Sequence, residues 1–137
     1  MRCFNALRRA KIEQSINPDD TRLAELRAWA DGIEAVAGSE PTPASADASF
    51  RRYFRMPSGA KSFIAMDAPP DREDSLPFVR IAGYLEAMQL NAPRIIEANL
   101  DDGFLLLSDL GTRQYLDVLK VDPSLAGGLY SDGLMAL

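Results

Sequence analysis

Ser49-Phe50-Arg51-Arg52-Tyr53-Phe54-Arg55-Met56, then Pro57-Ser58-Gly59-Ala60, then Ser62-Phe63-Ile64-Ala65-Met66-Asp67, decides how this chain is read. The first block is rich in aromatics and alternates along its length, which predicts a strand. Side chains alternate across a strand, so Phe50, Arg52, Phe54 and Met56 share one face, and Arg51, Tyr53 and Arg55 the other. The Pro-Ser-Gly block is a turn. Residues 62–67 return as the partner strand, completing a hairpin.

Upstream lies a small, polar, Pro-containing stretch, residues 38–48, read as a loop with a short strand near 42–45. Before it, Leu23, Leu26, Trp29 (or Ala30), Ile33 and Val36 recur at three- and four-residue steps, which predicts an amphipathic helix over 20–36. Asn17-Pro18-Asp19-Asp20 carries the start signal, and Gly38 the stop. Residues 1–19 read as a polar lead.

Downstream, Ser75 is an N-cap residue and Pro77 fits a first turn. Phe78, Ile81, Ala82, Leu85 and Gln89 form one stripe, predicting a helix over 76–89. Residues 94–99 and 103–109 form a second hairpin around Asp101-Asp102-Gly103. Its apolar run Phe104-Leu105-Leu106-Leu107 reads as buried on both faces. Gly111-Thr112 precedes a short helix with Tyr115, Leu116 and Leu119. Asp122-Pro123 opens another, Asp122 as cap and Pro123 at the first helical position. The order helix, hairpin, helix, hairpin, helices makes an α+β lobe: four or five antiparallel strands with one packed helix, 76–89. The sheet's other face must meet a ligand, a partner or a second lobe.

Bulk properties narrow the function. The chain has 137 residues, enough for one domain, and no histidine, so imidazole acid–base chemistry is excluded. Cys3 is the single cysteine, so neither an internal disulfide nor a cysteine metal cluster can form. The chain shows no secretory signal and no apolar run long enough to cross a bilayer, so the reading is a cytoplasmic protein away from membranes. Residues 1–61 hold ten basic and eight acidic side chains; residues 62–137 hold five and twelve, giving −5 overall. That balance argues against nucleic acid as a partner.

Three motifs bear chemistry. The small-residue run into Phe50-Arg51-Arg52 can bring backbone N–H groups near phosphate oxygens, with arginines offsetting the charge. The bland reading is an amphipathic strand with solvated arginines. Leu107-Ser108-Asp109-Leu110-Gly111 runs from strand to turn and can offer backbone groups to a purine edge; an ordinary connection reads equally. The acidic loop Asp67, Asp71, Glu73, Asp74 reads as solvated rather than as a metal site.

Taken together, Ser45-Ala46-Asp47-Ala48-Ser49-Phe50-Arg51-Arg52-Tyr53-Phe54-Arg55, Met66-Asp67-Ala68-Pro69-Pro70, Pro77-Phe78 and Gly103-Phe104-Leu105-Leu106-Leu107-Ser108-Asp109-Leu110-Gly111 resemble the aminoglycoside phosphotransferase family. The branch resembled is that of the bacterial N-acetylmuramate/N-acetylglucosamine kinases of cell-wall recycling, and the resemblance covers its N-terminal part. It implies the small lobe of a protein-kinase-like fold over residues 20–110, with 111–137 leaving the hinge toward a larger lobe. It also implies ATP and an amino sugar as partners, with Mg²⁺ held outside this chain. The implied nucleotide contacts are Ser45, Asp47, Ser49 and Phe50 over the phosphates, and Arg52 or Arg55 against their charge. Ile64 and Met66 would face the nucleotide, with Ser108, Asp109 and Leu110 at the adenine. Two departures stand out. Met66 occupies the place of the kinase lysine, with Arg52, Arg55 or Lys61 as substitutes and Glu86 as candidate carboxylate partner. The catalytic base and metal-holding carboxylate would lie past Leu137, so residues 1–137 are expected to bind without turnover. The rival reading is a non-catalytic protein- or anion-binding module using the 51–55 strand.

Overall fold

The computed structural model describes residues 20–46 and 49–135. The polar lead, Cys3 and Asp47 lie outside them. The elements in chain order are α1 (Thr21–Asp31), β1 (Thr42–Ala46), β2 (Arg52–Ser58), β3 (Lys61–Asp67), α2 (Leu76–Ala87), β4 (Ile95–Asn99), β5 (Phe104–Ser108), α3 (Tyr115–Val121), a 3₁₀ turn (Pro123–Leu125) and α4 (Ala126–Met135). The five strands form one antiparallel sheet in the order β1-β2-β3-β5-β4. The fold is α+β, as the sequence predicts.

The central hairpin is the framework. Arg52 pairs with Asp67, Phe54 with Ala65 and Met56 with Phe63, with Gly59 at a φ of +58° in the turn between them. β3 then pairs with β5, Ile64 opposite Leu107 and Met66 opposite Leu105.

The two sheet faces are covered differently, and one expectation is corrected. The sequence reading gave the sheet a single helix, 76–89. Instead α1 closes the first face, where Leu23, Leu26, Ala30 and Val36 join Phe54, Met56, Ala65, Phe104 and Leu106 in one buried cluster. Trp29 and Phe104 stack with ring centroids 5.8 Å apart. On the second face Met66, Ala68, Leu105 and Leu107 meet Tyr53, Ile64, Phe78, Val79 and Ile95. There α2 covers only part of the sheet.

Helix ends depart from the sequence reading for local reasons. Asp20 caps α1, its Oδ1 accepting from Leu23 N at 3.0 Å. The helix stops at Asp31, but Ile33 N and Val36 N bond back to carbonyls three residues earlier. The apolar periodicity therefore persists to Val36 in tighter turns. In α2 the inward stripe is Phe78, Val79, Ala82 and Leu85; Ile81 and Gln89 face solvent. Ser75 sits at the N-cap, but its side chain makes no cap bond; Asp74 Oδ1 accepts from Leu76 N instead, at 3.0 Å. Asp122 does cap the turn after α3, accepting from Ser124 N.

Candidate functional site

Where α2 leaves the second face open, a cleft of about 370 Å³ forms between β1–β3, β5 and the segment after β5. That volume lies in the range of small-molecule sites. Tyr53, Ile64, Phe78 and Leu107 make its apolar walls; Ser45 and Arg55 line one side, and Ser108 to Thr112 close the end. Strand pairing explains the convergence: Ile64 and Leu107 are register partners, and Tyr53 and Arg55 share their strand face.

Of the residues expected to meet a nucleotide, Ser45, Arg55, Ile64, Ser108, Asp109 and Leu110 line this cleft. Ser45 belongs to β1 rather than to a loop. Ser49 follows the undescribed pair 47–48, its Oγ accepting from Arg51 N at 3.1 Å. Phe50 is exposed, with the Arg72 guanidinium 4.6 Å from its ring centroid. Met66 is fully buried beneath the cleft among Leu105, Tyr53 and Phe78, so it supports the site rather than facing it.

Arg52 is a correction. It points to the α1 face, donating from Nε to Asp67 Oδ2 at 2.9 Å and bonding Asp20. Arg22 donates to the same Asp67 at Oδ1, 3.1 Å from Nε, and to the Asp102 carbonyl at 2.8 Å. Asp67 is fully buried, so two guanidiniums compensate one carboxylate that water cannot reach. Burial lowers the affinity of Arg52 for its proton, but hydrogen bonds to Asp20 and Asp67 outweigh that and raise its pKa. Burial likewise pushes Asp20 up, yet the bonds from Arg52 and Leu23 N hold it below the usual carboxylate range.

Asp109 and Arg55 form a second latch, inside the cleft. Arg55 Nε donates to Asp109 Oδ2 at 2.6 Å, Ser62 Oγ donates to the same oxygen at 2.6 Å, and Gly111 N donates to Oδ1 at 2.8 Å. The bond from Arg55 is the main cause holding Asp109 well below the usual carboxylate range. Both side chains are thus committed to each other, and Asp109 shapes the turn rather than offering a free carboxylate. Ser108 is committed too, its N–H donating to Arg94 O and its Oγ accepting from Arg94 N. Asp109 and Leu110 line the end of the cleft.

The acidic loop disperses. Asp67 turns to Arg22 and Arg52, Glu73 to Arg51, Asp74 to the start of α2, and Asp71 lies near Arg72. Among the described residues no three acidic, cysteine or histidine side chains gather to hold a metal ion. Among the described residues no helix is long and apolar enough to cross a membrane.

Sequence reasoning missed Tyr53, Phe78 and the Gly111–Thr112 end of the cleft as site residues. Strand parity carried the signal for the first: Tyr53 shares a face with Arg55, and Arg52 does not. Lys61 and Glu86 are both exposed, and neither lines the cleft.

A five-stranded antiparallel sheet, a helix across part of one face and a cleft at the strand-to-turn end are consistent with a kinase-like small lobe. The chain belongs to the phosphotransferase enzyme family, which it matches over residues 40–132. It is 46% identical over 129 residues to an N-acetylmuramate/N-acetylglucosamine kinase of Pseudomonas aeruginosa, covering 87% of this chain and 38% of that protein. Identity to the protein of the same name from Pseudomonas putida is 44% over 129 residues, covering 86% and 37%. With that of Neisseria meningitidis serogroup B it is 34% over 99 residues, covering 72% and 29%. The chain thus spans less than two fifths of the length of the curated relatives it matches.

Proposed function

We propose that this chain is the nucleotide-binding lobe of an ATP-dependent amino-sugar kinase, with residues 20–110 as the lobe and 111–135 leading away from it. The observation that carries this reading is the cleft itself. Ile64 and Leu107 are neighbours on one sheet face and form an apolar wall against which a purine ring can lie, with Asp109 and Leu110 at the end of the slot. Apolar walls with a few fixed polar groups are what a planar heterocycle needs. The names of the relatives support N-acetylmuramate or N-acetylglucosamine as acceptor in the complete protein, and a role in peptidoglycan recycling follows from that. The same reading places the complete protein in the cytoplasm, where ATP is available.

The chain's own share is binding and orientation. Tyr53, Ile64 and Leu107 exclude water from one end of the nucleotide. The Arg55–Asp109 latch fixes the turn that meets its edge. ATP brings the transferable phosphoryl group. Phosphoryl transfer also needs a base and carboxylates holding Mg²⁺. We assign neither to these residues, and expect the chain alone to bind nucleotide without sugar-dependent ATP consumption.

The test is titration with a fluorescent ATP analogue. Ile64→Trp fills the slot and weakens binding at least tenfold, about 1.4 kcal/mol, while thermal unfolding stays close to wild type. Unchanged affinity in Ile64→Trp, or no binding by the wild-type chain, rejects the reading.

A further inference from the structure

A nucleoside triphosphate brings several negative charges, and the lobe that holds it needs a cation beside them. Met66 carries none. Arg52 lies on the opposite face, between Asp20 and Asp67; Arg55 is held by Asp109 through both Nε and Nη2; Lys61 is exposed at the turn, opposite Ser58. None of the three substitutes expected from the sequence meets the requirement.

Arg51 does. It immediately precedes β2 and, by strand parity, shares the cleft-facing side with Tyr53 and Arg55. Its guanidinium lies over the ring of Phe78, 5.8 Å from the centroid, and Phe78 is a wall of the cleft. Arg51 Nε stands 3.2 Å from Glu73 Oε2, an ion pair without hydrogen-bond alignment. Both side chains are largely sheltered, 24% and 14% exposed. The other Glu73 oxygen accepts from Phe50 N at 3.0 Å. One carboxylate therefore fixes both the backbone entering β2 and the guanidinium that follows it. The pair engages Arg51 through Nε. A guanidinium has five donors in a planar fork, so the edge away from Glu73 can take phosphate oxygens.

Resting on the nucleotide reading above, we propose that Arg51 is the phosphate-binding cation of this lobe, with Glu73 as its positioning residue. The pair takes the place of a lysine on β3 and a carboxylate within α2.

The experiment compares a fluorescent ATP analogue with adenosine carrying the same fluorophore. Wild type binds the triphosphate more tightly than adenosine. Arg51→Met lowers triphosphate affinity at least tenfold and leaves adenosine within twofold. Arg51→Lys restores part of the loss, and Glu73→Gln falls between. Triphosphate affinity within twofold of wild type in Arg51→Met overturns the proposal. Wild type that binds adenosine with no gain from the triphosphate also overturns it, while leaving the nucleotide reading intact. Wild type that binds neither compound overturns both. A second measurement needs no variant: ATP protects Arg51 of the wild-type chain from phenylglyoxal, read by mass spectrometry, and adenosine does not. Equal labelling with and without ATP sinks the assignment.

Discussion

Two sheltered aspartates, one on each face of the sheet, hold arginines for different ends. Asp67 on the α1 face is fully buried and takes two guanidiniums, Arg22 from α1 and Arg52 from β2. It joins a helix to a sheet. Asp109 on the cleft side takes Arg55, Ser62 and a turn N–H, and shapes a surface that remains open. The first is a structural clasp beside the apolar cluster that α1 closes. The second is a latch at the rim of a binding site. The same pair of residue types serves stability on one face and geometry on the other, and the number of guanidiniums each carboxylate holds makes the difference.

Asp67→Ala tests this contrast most severely. Removing the shared acceptor leaves Arg22 with only the Asp102 carbonyl and Arg52 with only Asp20, which costs about 3–5 kcal/mol. Urea unfolding measures it. Loss below 1 kcal/mol would place the clasp on a level with the latch and erase the distinction. Gly103→Ala follows, because Gly103 has φ +75° and an added Cβ would meet the Ala68 carbonyl oxygen at 1.9 Å. That carbonyl belongs to backbone directly after β3, so it cannot swing away as a side chain would. About 2 kcal/mol of destabilisation is expected from strain and displacement, read as a lowered Tm.

The smallest effect concerns Asp109→Asn, about 1 kcal/mol at neutral pH. Its sign with pH is fixed by the direction of the shift. The folded-state pKa of Asp109 lies below the ordinary value of about 4, so its stabilisation is complete above that value. It is lost as pH falls toward the depressed folded value, when Asp109 would have to take up a proton against Arg55. Denaturant unfolding from pH 7 down to pH 3 should therefore show a smaller acid loss in Asp109→Asn than in wild type. Equal acid slopes would remove Asp109 from the account, leaving Asp20, whose pKa is shifted the same way.

The hairpins were legible because alternation and Gly-bearing turns act over a few residues; β2 and β3 pair as the pattern predicts, but β2 begins at Arg52 and runs on through Pro57 and Ser58, which the sequence reading gave to the turn. The cap at Asp20 and the Asp122-Pro123 start are equally local. Which helix covers which face was not legible, because α1 and the sheet are joined by contacts far apart in sequence. Arg52 was misread for the same reason. As a charge near a phosphate loop it looked available, and only the position of Asp67 and Asp20 in space reveals that it is taken. Parity alone, applied to residues 51–55, would have favoured Arg51 over Arg52. Glu73 could not be found from a helical register, since it lies before the first turn of α2.

The clasp has a consequence for the order of assembly. Arg22 reaches a carboxylate 45 positions later and a carbonyl 80 positions later. During synthesis at roughly 5–20 residues per second, α1 waits on the order of ten seconds before its whole docking surface has been made. Leu23, Leu26 and Ala30 stay wet through that interval, while the β2–β3 ribbon, whose ends are neighbours in the chain, can close at once. The first of the described elements is thus seated only after the sheet it covers has been made.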